Sequence, residues 1–146
     1  MTIKERIQDE MKSAMKNKNM ERLECLRMLK AAVMLKEKET GKAVSDEDAM
    51  TALRSEIRKR QQTIDVLREH GKEVETAATE REIAVIEEFL PRQLSAGELE
   101  ARVRAYLADH PDINHAGKLT GILKKELGEA ADGKVLNDVC RKVLGA

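Results

Sequence analysis

Glu87-Glu88-Phe89-Leu90-Pro91-Arg92-Gln93-Leu94-Ser95 contains the only phenylalanine of the chain and one of its two prolines. Proline has no amide hydrogen to continue a helix and disfavours helical geometry at the residue before it, here Leu90. Ser95 then offers a new N-cap, with Glu98 three residues on to close a capping box. The stretch therefore reads as a joint between two helical units. One is an N-terminal domain over residues 1–90, the other a C-terminal domain over residues 91–146.

Upstream of the joint the apolar residues recur at helical spacing. Thr2 and Glu5 form a capping-box pattern ahead of Ile3, Ile7, Met11 and Ala14, which share one face. Asn19 can cap a second helix from about Met20 to Thr40, with Leu23, Leu26, Leu29, Ala32 and Val33 as its stripe and Gly41 at the left-handed position that ends it. Ser45 followed by Asp46, Glu47 and Asp48 opens a third helix, which runs to Glu69 or His70 before Gly71. At 1.5 Å per residue this helix is roughly 35 Å long. Its stripe of Met50, Leu53, Ile57, Ile64 and Leu67 is expected to pair with the second helix as an antiparallel hairpin. A fourth helix, from about Lys72 to Phe89, gathers Ile83, Val85, Ile86, Phe89 and Leu90 at its end. Its first half is expected to lie exposed, and Phe89 and Leu90 to pack where hairpin and bundle meet.

Downstream, Leu99, Val103, Tyr106 and Leu107 mark a fifth helix ending near Asp109. Leu119, Ile122, Leu123 and Leu127 mark a sixth, from about Asn114 to Leu127, with Gly128 suited to its C′ position. Val135, Leu136, Val139, Val143 and Leu144 mark a seventh, capped by Asp132. Three such helices form a small bundle near the lower size limit for independent folding. The fold class is all-α: a long-helix hairpin unit followed by a small C-terminal three-helix bundle.

Lys plus Arg and Asp plus Glu are both 27, so no net charge draws the chain towards nucleic acid. Charged residues reach 37% and aromatics 1%, which suits aliphatic seams between solvated helices and not an aromatic core. Met1-Thr2-Ile3-Lys4-Glu5-Arg6 carries charge where a signal peptide needs an apolar run, and no run is long enough to span a membrane. Cys25 and Cys140 are isolated from each other and from any metal-ligand spacing, as expected of reduced, buried thiols. The expectation is a soluble cytoplasmic protein.

The search for chemistry is mostly negative. His70 stands at a helix end, and His110 and His115 flank a turn without the spacing of a zinc site. The carboxylates have basic neighbours at helical spacing, as Glu56 has Arg60, and read as a solvated, ion-paired face. Gly117-Lys118-Leu119-Thr120-Gly121 misses the phosphate-loop spacing. No catalytic residue, metal or cofactor is expected. Two basic groups remain. Arg54, Arg58 and Arg68 lie along one side of the third helix. Lys118, Lys124, Lys125, Lys134, Arg141 and Lys142 in the last two helices outnumber Glu126, Glu129, Asp132 and Asp138. Glycines among them, Gly133 included, would let a phosphate backbone approach free helix amides. With no aromatics to stack on bases, such a contact would read backbone shape.

Three segments resemble the GatB/YqeY family. They are Leu26-Arg27-Met28-Leu29-Lys30, the joint from Glu88 to Ser95, and Gly117-Lys118 followed by Ala131-Asp132-Gly133-Lys134-Val135. Their order and spacing correspond over essentially the whole chain. GatB is the subunit of the tRNA-dependent amidotransferase that phosphorylates misacylated Glu-tRNA or Asp-tRNA before amidation. Its helical C-terminal tail, which is similar to this chain, contacts the outer body of the tRNA. The resemblance implies a YqeY-like, tRNA-binding accessory module, with tRNA and amidotransferase or aminoacyl-tRNA synthetase proteins as partners. It also brings the label of a carbon–nitrogen ligase with glutamine as amido-nitrogen donor, although the kinase cradle and the ammonia-releasing subunit have no counterpart here. By segment character, the tRNA-facing region maps to Lys118, Lys124, Lys125, Gly133, Lys134, Arg141 and Lys142. The alternative is a protein-interaction adaptor that uses the long charged hairpin as its docking rod.

Overall fold

Local capping sets the order of elements in the computed structural model, which describes residues 1–145. Seven α-helices and one 3-10 turn occur, with no strand among the described residues. The helices are α1 (Ile3–Lys16), α2 (Met20–Thr40), α3 (Asp46–Glu69), α4 (Glu73–Glu87), α5 (Ala96–Asp109), α6 (Ala116–Leu127) and α7 (Gly133–Leu144), with the turn at Gly128–Ala130. Thr2, Asn19, Ser45, Ser95 and Asp132 each accept a backbone N–H of the helix they precede. Among the described residues only Ser95 and Glu98 make the reciprocal box; at Thr2 the hydroxyl donates to the Glu5 carboxylate instead. Gly41 takes φ +70 after α2, a conformation costly for any residue with a Cβ.

The chain divides into two compact units, Met1–Leu90 and the residues from Pro91 onward. In the first unit α2 packs against α1, α3 and α4. Its buried Leu23, Leu26, Leu29 and Val33 meet Ile3 and Ile7 of α1, Ala49 and Leu53 of α3, and Ile86 and Phe89. Each fully buried leucine here contributes about 2 kcal/mol of transfer free energy. The expected α2–α3 hairpin is present, but α1 and α4 also cover it, so the unit is a four-helix assembly and not a bare rod.

Three expectations need correction. The first half of α4 is not wholly exposed: Thr76 and Thr79 are buried, and their hydroxyls donate to the Lys72 and Glu75 carbonyls one turn back. That internal bond satisfies a polar group that would otherwise be costly to bury. Phe89 and Leu90 pack into the first unit's own cluster. The Arg6 guanidinium lies over the Phe89 ring at 5.3 Å and donates to the Glu88 carbonyl, fastening α1 to the end of α4.

The third correction concerns Arg60. The Glu56–Arg60 pair exists, but it is not a solvated surface pair, because Arg60 is only 6% exposed. Arg60 Nε donates to Glu82 of α4 at 3.2 Å, Nη1 to the Glu56 carbonyl at 3.1 Å, and Nη2 lies 3.8 Å from Met28 Sδ of α2. One guanidinium thus ties three helices together. Such a buried charge is tolerable only while its partners stay in place.

In the second unit α7 packs against both α5 and α6. Leu99, Val103, Leu119, Leu123, Ala131, Leu136, Val139 and Cys140 are its buried cluster. Both cysteines are free and buried, as expected. Burial pushes the Cys25 thiol up to about 11 against the opposing charge of Arg60, and pushes the Cys140 thiol up as well.

Arg60→Ala should destabilise the chain by about 2–4 kcal/mol, because it leaves Glu82 without its inter-helix partner. Arg60→Met should cost less, since the thioether chain keeps the packing; denaturant melts of both variants check the order. A second expectation concerns acid. Lys4 holds the Glu37 carboxyl below its ordinary range, the Ser95 backbone N–H does so for Glu98, and Lys142 for Glu100. Lowered folded values stabilise above the unfolded value and lose that contribution as pH falls through them. Melting temperature should therefore hold above about pH 5 and fall below about pH 4, and Glu37→Gln should flatten the fall.

Candidate nucleic-acid interface

The basic residues of α6 and α7 divide by what holds them. Lys124 is half-buried and its ammonium donates to the Gly128 and Ala131 carbonyls, where α6 ends and the 3-10 turn follows. A lysine there satisfies carbonyls that have lost their helical donors, and its charge complements the helix dipole. Lys142 bonds Glu100 of α5 at 2.8 Å, and Glu100 also receives Arg104 at 3.5 Å. Lys124 and Lys142 are therefore committed to the bundle itself.

Lys118, Lys125, Lys134 and Arg141 are different. All four are exposed, and none has an ion-pair partner among the described residues. Lys118 and Lys125 stand seven residues apart on α6, so they share a face, roughly 10 Å along the axis. Lys134 and Arg141 share a face of α7 by the same spacing. Leu119 and Leu123 of α6, and Leu136, Val139 and Cys140 of α7, occupy the opposite sides as core. Since α6 and α7 are neighbours, two outward-facing cationic pairs lie on adjacent helices. Gly121, between Lys118 and Lys125, has open space where a Cβ would stand.

Other parts of the expected binding surface are arranged for the fold. At the start of α7 the Asp132 side chain accepts from Val135 N at 3.2 Å. A carboxylate is already present where an incoming phosphate would bind beside Gly133, and like charges repel there. Gly117 makes room for a neighbour: a Cβ would approach the His115 ring to 3.0 Å. That ring caps α6, with Lys118 N donating to His115 Nδ1 at 3.1 Å. His70 and His110 likewise bond carbonyls one turn back, at 2.9 Å and 3.1 Å. Among the described residues no three His, Cys, Asp or Glu side chains gather in a metal-holding group.

The secondary group on α3 is partly engaged. Arg68 pairs with Glu80 of α4 at 2.7 Å, Arg54 is half-buried and has its own interactions, and Arg58 is exposed. A shallow cleft of about 210 Å³ opens between the start of α2 and α4, lined by Arg22, Cys25, Arg81 and Glu82 among others. Its charges answer one another: Arg22 bridges Glu10 and Glu88, and Arg81 bonds Glu21. The hydrogen bond from Arg22 to Glu88 holds its guanidinium charged even more firmly than usual.

A further side-chain pair of the second unit has its sequence signal in i,i+4 spacing alone. Tyr106 and His110 stack with centroids 4.1 Å apart and planes at 12°, an i,i+4 pair at the end of α5. It adds an aromatic surface around Tyr106, the one Phe, Trp or Tyr of this unit.

A family model described as Yqey-like protein matches residues 4–144, nearly the whole chain. No curated protein matches it.

Lys124→Ala should lower stability by about 1–2 kcal/mol, since it removes a charged donor from two carbonyls at a helix end. Lys125→Ala, one residue on but solvated, should stay within about 0.5 kcal/mol of the parent. Paired denaturant titrations read the difference directly.

Proposed function

Because the chain belongs to the YqeY-like protein family, we propose that it is a tRNA-binding accessory module of tRNA-dependent amidation, with no chemistry of its own. The observation that carries this reading is the set of four cations, Lys118, Lys125, Lys134 and Arg141, exposed on α6 and α7 and without an ion-pair partner among the described residues. The similarity to the GatB tail supplies the direction: that tail contacts the outer body of tRNA while catalysis proceeds elsewhere in the complex. A neutral chain gains no long-range attraction to nucleic acid, so binding rests on these local cations and is modest. The cations address phosphates, which position an RNA without reading its sequence. On this reading tRNA identity is chosen by the partner enzyme, an amidotransferase or an aminoacyl-tRNA synthetase.

Mobility shift with total tRNA across a salt series tests the proposal. Binding should weaken steadily with salt. Replacing the four cations by Ala should flatten the log–log salt dependence by about one for each phosphate no longer neutralised. Lys12→Ala, on an exposed position of α1, should change nothing. No shift at low salt, or a fourfold variant that binds like the parent, would overturn the reading. A protein partner that survives nuclease treatment in such a preparation would favour the adaptor instead.

A further inference from the structure

Helix α2 is apolar on two sides. Its inner side is the core already described. Its outer side carries Met28, Ala31, Met34 and Leu35, all exposed, with Met28 at 51%, Met34 at 48% and Leu35 at 58%. The Met28 sulfur touches the Arg60 guanidinium and still leaves half the side chain to solvent. A second apolar face on a helix whose first face is already core is ordinarily covered as well. Large apolar groups gathered at helical spacing also differ from single exposed ones, which need no explanation.

The charges around this patch say what covers it. Glu24, Met28, Ala31, Leu35 and Lys38 follow alternating steps of four and three residues, the seam of a two-helix contact. Glu24 and Lys38 each lie seven residues from Ala31, on the same face and with opposite sign. Lys38 is exposed and has no ion-pair partner among the described residues, and Glu24 reaches only as far as Arg27, at 3.5 Å. We propose that this face of α2 packs antiparallel against the same face of a second copy of the chain, about a twofold axis at Ala31.

Such an axis makes the interface self-complementary. Glu24 meets Lys38 of the second copy, and the reverse pair forms at the other end. Met28 abuts Leu35 of the second copy along one edge, and the Arg27 stem lies on Met34 along the other. Ala31 at the centre has no bulk to hold the helices apart. A parallel pairing would set Glu24 on Glu24 and Lys38 on Lys38, which like-charge repulsion disfavours. A foreign partner would have no need of this internal symmetry. The interface lies on the first unit and does not depend on any binding of RNA by the second.

Analytical ultracentrifugation of the full chain, from low to high micromolar concentration, tests the proposal. The parent should shift from monomer to dimer, and Leu35→Asp should remain monomeric with unchanged helical circular dichroism. Glu24→Lys alone and Lys38→Glu alone should each weaken the dimer about tenfold, since each creates two like-charge pairs. The double variant should restore the parental affinity. A parent that stays monomeric throughout overturns the proposal, as does a dimer in which the double reversal fails to rescue the single ones.

Discussion

Pro91 has no amide hydrogen for the Glu87 carbonyl, and its ring disfavours helical geometry at Leu90. The chain answers locally. Glu88, Phe89 and Leu90 each donate to a carbonyl three residues back, so the final turn tightens and closes before the proline. Leu90 packs on the first unit's core and Leu94, four residues later, on the second unit's. Leu94 N then bonds the Ala130 carbonyl at 2.7 Å, and the reciprocal box of Ser95 and Glu98 starts α5. The chain thus leaves the first hydrophobic core and enters the second within these few residues.

Within each unit, charged side chains serve two purposes that residue type cannot tell apart. Arg60 lies inside and joins three helices, while Arg58, two residues earlier on the same helix, is exposed. Lys124 closes the end of α6 while Lys125 faces solvent. Of the six cations of α6 and α7, two are committed to the bundle and four face solvent. The candidate surfaces are two: one cationic on α6 and α7, one mainly apolar on α2.

Much of the fold was legible because its signals are short-range. The bounds of α2, the Ser45 and Asp132 caps and the left-handed Gly41 all follow from donors and acceptors within four residues of one another. The core stripes were legible too, since helical spacing alone puts Ile3, Ile7 and Ala14 on one side. The candidate site was legible only as a set of residue types. Sequence order grouped Lys124 and Lys142 with Lys118, Lys125, Lys134 and Arg141, because the carbonyls and the carboxylate that engage the first two are supplied by the turn and by α5.

What the sequence determined by itself is therefore the list of helices, the faces they bury and the break at Pro91, all consequences of hydrogen bonding and periodicity along the chain. Only the tertiary structure decided that α1 and α4 enclose the α2–α3 pair, that Arg60 is buried, and which cations remain unpaired. The reason is distance. Glu82 is 22 residues from Arg60, and Glu100 far more from Lys142, so neither partnership leaves a local trace. A charge is buried or free according to the helix that packs against it.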